Sequence, residues 1–207
     1  MTKLLTTLVL ASLTLGAHAA DDNMLFVEYR VVSADLTASS PETQPRKVWL
    51  LGKAFLRFED VPNPETKVHG LIIVDEPNIW IIDRTKGQGQ HAIDPGPQYV
   101  VHFPIFPREQ SEKLKQLEFG SELKFFQANG ARDLASQTVD GIKCKLYRMQ
   151  LDDRELTLFL KPDNLPLQIE VQSADRKYAV RFLQYDPNQK PDMNLFKVPP
   201  GIKIIEP

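Results

Sequence analysis

The chain has 207 residues, 25 basic against 27 acidic side chains and a net charge of −2, so its charge draws it to neither nucleic acid nor an anionic membrane surface. Its length suits one well-filled core, and no Gly/Ser-rich linker divides it. Cys144 is the single cysteine, which excludes an internal disulfide and leaves stability to burial.

Residues 1–19 read as a secretory signal peptide. Lys3 gives a basic start, residues 4–15 are apolar apart from Ser and Thr, and Ala17-His18-Ala19 places small side chains at the two positions a signal peptidase reads. The apolar run is shorter than the ~20 residues a membrane span needs. The expectation is export to the periplasm, with a single mature domain over residues 20–207 and no transmembrane segment in it.

The mature chain opens with a strand over residues 25–32, where Leu25, Val27, Tyr29 and Val31 share one face. From residue 46 to 94 short β-branched and aromatic runs follow one another, separated by the turn formers Gly52-Lys53, Pro62-Asn63-Pro64 and Glu76-Pro77-Asn78. Consecutive hairpins of this kind build an antiparallel sheet. Residues 108–128 change period: they lack proline, are rich in Glu, Lys, Gln and Leu, and stop at Asn129-Gly130. A helical segment in two pieces, divided at Gly120, is expected there. Leu114, Leu117, Leu123 and Phe126 would form its apolar stripe, flanked by Phe119 and Phe125.

Strict alternation then returns. Leu156, Leu158 and Leu160, then Leu167, Ile169 and Val171, then Tyr178, Val180 and Phe182 point one way, with Thr157, Gln168 and Arg181 expected to face water. Cys144, between Ile142 and Leu146 on an apolar face, reads as a buried thiol. The fold expected from this patterning is mainly β with one helical insertion: a curved antiparallel sheet of roughly nine to eleven strands carrying one inserted helical segment. Such a sheet has a long apolar face and one helical segment to cover it, so that face either closes on itself as a barrel or leaves an apolar cavity. Candidate cavity residues are Trp49, Leu56, Phe58, Trp80, Ile82, Leu158, Ile169, Val180 and Phe182, with Leu114, Leu117, Leu123 and Phe126 as the lid.

No catalytic signature accompanies the sheet. His69, His91 and His102 stand singly, without metal-ligand spacing, and the chain has neither a nucleophile elbow nor a phosphate loop. Asp75, Asp83 and Asp94 each end a strand, where Asp is a common turn former. A non-enzymatic protein without metal or cofactor is the expectation.

Three segments carry a family resemblance. Phe55-Leu56-Arg57-Phe58-Glu59 is similar to an aromatic–Arg–aromatic strand, and residues 73–83, from Ile73-Val74-Asp75 to Trp80-Ile81-Ile82-Asp83, to a hairpin with Trp in its second strand. Residues 194–203, where Phe196 precedes Pro199-Pro200-Gly201, look like a closing phrase in which a Phe plugs the sheet end. Together they resemble the periplasmic outer-membrane lipoprotein carrier (LolA-like, lipoprotein-sorting) superfamily. The resemblance implies a half-open barrel with helices over its mouth and non-catalytic binding of a lipid or lipoprotein acyl chain, in envelope trafficking or sensing. An inner- or outer-membrane protein is a further implied partner. The competing reading is a protein-interaction module of an envelope-stress regulator, with the same half-barrel and no ligand cavity.

Overall fold

A computed structural model describes residues 23–205 except 38, 64 and 108–110. The expected signal peptide and the start of the expected helical segment lie outside the described residues.

Twelve strands make one sheet among the described residues: β1 (Met24–Ser33), β2 (Arg46–Leu51), β3 (Phe55–Glu59), β4 (Gly70–Asp75), β5 (Asn78–Asp83), β6 (Gln88–Ile93), β7 (Arg132–Val139), β8 (Ile142–Leu151), β9 (Arg154–Leu160), β10 (Pro166–Gln172), β11 (Lys177–Gln189) and β12 (Lys203–Ile205). Their order is β12-β6-β5-β4-β3-β2-β1-β11-β10-β9-β8-β7. Hairpins account for nearly all neighbours, as the turn formers require. One long-range pairing, β1 against β11, joins the two runs of hairpins. Only β12 is parallel to its neighbour, β6. Register shifts after Met24 and Glu28 mark bulges in the β1–β11 seam, which bend a sheet and increase its twist. The sheet stays open, with β7 and β12 as its edges.

The helical insertion is much shorter than the sequence suggests. It consists of a single 3-10 turn, Leu114–Gln116, and a seven-residue helix, α1 (Glu122–Ala128). Two features cut it. Pro104 bridges to Glu118 and the Ile105 amide donates to the Leu117 carbonyl at 2.9 Å, so the chain doubles back instead of running on as helix. Gly120 adopts φ +88°, a left-handed conformation that ends one piece before the next begins. Residues 101–107 and 111–128 thus form a strap across one face of the sheet, called here the inner face.

Burial follows the strap. Ile105, Phe106, Leu114, Leu117, Phe119, Phe125 and Phe126 join Val27, Tyr29, Val48, Leu56, Leu158, Ile169, Val180 and Phe182 in the main core. Two smaller cores occupy the outer face. At one end, Met24, Leu71, Ile73, Ile82 and Phe196 are buried, with Trp49, Phe55 and Trp80 packed around them, beneath the segment before β12. At the other end, Cys144, Leu146, Phe159 and Leu167 pack with Leu134, Val139 and Ile142. The strand β7, with the polar sequence Arg-Asp-Leu-Ala-Ser-Gln-Thr-Val, carries little alternation of its own and is placed by pairing with β8.

Leu158, Ile169 and Val180 share the interior as their alternation implies. The outward set departs from expectation, because Thr157 and Gln168 are buried. The cause is local pairing: Arg148 Nε donates to Thr157 Oγ1 at 3.2 Å, and Arg181 Nη1 to Gln168 Oε1 at 2.6 Å. Long side chains laid across the outer face remove these polar residues from water while satisfying them.

Candidate functional site

The site candidates divide between the two faces. Leu56, Phe58, Leu158, Ile169, Val180 and Phe182 lie on the inner face, against strap residues Leu114, Leu117 and Phe126, which are fully buried, and Leu123, which is partly so. Trp49, Trp80 and Ile82 face the other way. Period-two alternation puts Trp49 opposite Arg57 and Trp80 opposite Ile73, so all three belong to the outer core and cannot line a common cavity with the rest. Trp49 stacks near Phe26, with ring centroids 5.0 Å apart, and Trp80 lies against the His91 ring at 5.1 Å.

Arg57 is on that outer face too, and it is buried. Its Nη1 donates to the Leu195 carbonyl at 2.8 Å and its Nε to Glu59 Oε1 at 2.9 Å. The guanidinium ties the closing segment to the sheet, where Phe196 meets Phe55 at 5.4 Å between centroids.

Beneath the strap the inner face is packed with the chain's own side chains. Phe119 meets Tyr29 at 4.9 Å and Phe103 at 5.9 Å, and Phe58 meets Phe103 at 5.3 Å, all between ring centroids. One carboxyl is enclosed there. Glu122, at the start of α1, is 3 % exposed and accepts from Tyr185 Oη at 2.8 Å and from the Gly120 amide at 3.2 Å. Burial pushes its pKa up to about 7, against the downward pull of those donors. Tyr185 is driven upward by burial and by the adjacent carboxyl, and so remains a donor.

The strap stops short of the β4–β6 end. There the inner face opens: the exposed Ile81 and Ile205, with the partly buried Phe58 and Ile72, form the floor of an open groove of about 460 Å³, bordered by Asp60, Asp83 and Lys86. Ile81 is 58 % exposed and Ile205 46 %, although both sit in regular strands beside a fully developed core. Lys86 Nζ lies 3.0 Å from Asp83 Oδ2, and hydrogen bonding from Lys86 holds the Asp83 carboxyl below its ordinary value. Asp60 is engaged by Arg46 Nε at 2.9 Å. The border is therefore charged but locally neutralised, and the floor is apolar. Gly89 makes this end of the sheet tight, since a Cβ there would come within 2.7 Å of Ile82 Cγ1.

Sequence reasoning missed Ile72, Ile81 and Ile205 as site residues. Ile72 and Ile81 are cross-strand partners, and Ile205 pairs with Gln90 beside Ile81, so register brings the three together. Their alternation with Ile73, Trp80 and Ile204 was the available signal, but it reports sidedness and not exposure.

Among the described residues no group of three His, Cys, Asp or Glu side chains is placed to hold a metal ion. No described helix is long and apolar enough to cross a membrane.

No protein-family model matches the chain, and no curated protein matches it. Among solved structures, an uncharacterised conserved protein from Thermus thermophilus is similar with a TM-score of 0.53 and 10 % identity, covering 90 % of this chain and 91 % of that one. That similarity is one of fold. The Mycobacterium tuberculosis lipoprotein LppX aligns with a TM-score of 0.39 and 11 % identity, over 83 % of this chain and 91 % of that one. PNGF-II aligns with a TM-score of 0.36 and 7 % identity, over 89 % of this chain and 31 % of that one.

Proposed function

We propose that this chain binds an apolar or lipidic ligand, an acyl chain in the first instance, in the bare groove at the β4–β6 end of the inner face. The role is non-catalytic, in trafficking or sensing within the periplasm. The observation that carries the reading is the exposed pair Ile81 and Ile205 beside the partly buried Ile72 and Phe58, in a groove of about 460 Å³. Clustered apolar side chains on a regular sheet mark a surface that gains stability when covered. The volume lies within the ordinary range for small-ligand sites, roughly 300–1,000 Å³. Each methylene removed from water contributes ~0.8 kcal/mol, so even a short acyl segment would bind measurably.

The deeper inner face is occupied by the strap, so a ligand longer than the groove must displace Phe103 and its neighbours. This packed interior favours the interaction module as the second reading, in which an apolar segment of a partner protein lies in the same groove.

Titration with a fluorescent polyunsaturated fatty acid separates the outcomes. Saturable binding by the native protein, lost in Ile81→Asp with the melting temperature unchanged, is the expected result. Failure of the native protein to bind, or equal binding by Ile81→Asp, would overturn the lipid reading. Mass spectrometry of a solvent extract of the purified protein gives an independent readout of co-purified lipid.

A further inference from the structure

The outer face holds an anomaly at the seam where the two runs of hairpins meet. Arg30 on β1 and Arg181 on β11 are direct cross-strand partners on the same face. Like charges placed opposite each other destabilise a sheet unless something neutralises them. Arg181 is neutralised: its Nη1 donates to Gln168 Oε1, and its Nη2 pairs with Asp140 Oδ2 from the β7–β8 turn. Lys177, on the same face of β11, pairs with Glu170 Oε2 at 3.2 Å, and Gln168 Nε2 donates to Glu170 Oε1 at 2.9 Å. The two carboxylates of the cluster are thus already engaged. Arg30 has no hydrogen-bond or ion-pair partner among the described residues.

These side chains surround an open hollow of about 380 Å³. Its position explains why it exists. The closing segment covers the outer face over β2–β5 and the β7–β8 hairpin covers it over β9–β10, leaving a trough between the two covers. Val32 and Ala179, cross-strand partners, give the trough an apolar patch beside the cations.

We infer that this trough is a binding site for an organic anion carrying a phosphate or carboxylate, with Arg30 as its principal ligand. The unpaired guanidinium offers a planar fork suited to two oxygens of such a group. Lys177 supplies a second positive charge at the rim, and the hydrogen-bonded Arg181–Gln168–Glu170 chain keeps the wall in place. An anion between Arg30 and Arg181 converts the like-charge pair into a bridged one, so the site is stabilised by occupancy. A hollow of this size admits an organic group behind the anion, which Val32 and Ala179 would contact. The site lies on the opposite face from the apolar groove and does not depend on it.

Calorimetric titration with glycerol 3-phosphate, and co-sedimentation with phosphatidylcholine vesicles containing phosphatidic acid, distinguish a free anion from a lipid headgroup. Saturable binding of either probe is expected, weakened at least roughly tenfold by Arg30→Gln. Without ligand, Arg30→Gln should melt at the same temperature as the native protein or higher, because it removes the repulsion; a merely structural arginine would show the reverse. Lys177→Gln should weaken binding less, and Ile81→Asp should leave it intact. Binding of neither probe, or native-like binding by Arg30→Gln, would overturn the proposal.

Discussion

Ile169 and Ile81 occupy equivalent positions in two parts of one sheet: each alternates with polar or outward residues, and each points to the inner face. Ile169 is fully buried and Ile81 is 58 % exposed. Nothing in their own strands distinguishes them. The difference is the reach of the strap, which doubles back through Pro104 and Glu118 and spends its apolar residues over β1–β3 and β8–β11. A strand pattern thus specifies which way a side chain points, while a distant segment decides whether it is covered. In this chain the covered part is the core, and the uncovered part is the open groove.

The largest expected effect tests that comparison directly. Ile169→Asp would bury an unpaired charge and should cost about 4 kcal/mol or more, whereas Ile81→Asp should change stability by no more than about 0.5 kcal/mol. Urea unfolding of the two variants reads the difference, and equal midpoints would show that both ends of the face are alike. Gln168→Asp, on the outer face, should also destabilise, because it removes the Nε2 donor to Glu170, sets a second carboxylate beside that one and shortens the side chain that reaches Arg181.

A second test acts on the strap itself. Glu122 is held protonated by burial up to about pH 7, while in the unfolded chain it ionises near its ordinary value of 4.5. Its raised pKa therefore contributes stability that is fully present below 4.5 and is lost as the pH rises through about 7. The integrated loss is on the order of 3 kcal/mol. Urea midpoints should fall between about pH 5 and about pH 8, and Glu122→Gln should flatten that slope. An unchanged slope in the variant would mean that the strap does not enclose the carboxyl when folded.

The smallest effect concerns the outer face. Cys144 is fully buried, its Sγ 3.5 Å from the Ile142 carbonyl, and burial pushes its thiol up while Arg181 pulls it partly back. Maleimide labelling should be slow in native protein and fast in urea. Rapid native labelling would show that the β7–β8 hairpin opens, and with it one wall of the trough at Arg30.

The sequence by itself determined most of the strands, their hairpin order and the sidedness of most residues in them. The strand β7 has little alternation to read, and Leu167, expected to point with Ile169, packs with Cys144 on the outer face beside a register shift between Pro166 and Gln168. Alternation and turn chemistry are local properties, and they placed Leu158, Ile169 and Val180 on one face and Cys144 in an apolar layer. The sequence also marked residues 108–128 as a break in that pattern and Gly120 as the point that divides it, though composition could not show that Pro104 would turn the chain back and leave the two helical pieces so short. Which face Trp49, Trp80 and Ile82 belong to required the register of β2 and β5 with their neighbours, since alternation names two faces without saying which is inner. The burial of Arg57 depended on a carbonyl 138 residues away, at Leu195. The exposure of Ile81 and the meeting of Arg30 with Arg181 were likewise tertiary outcomes. Both arise from long-range pairing and from where covering segments end, and neither leaves a period in the chain to read.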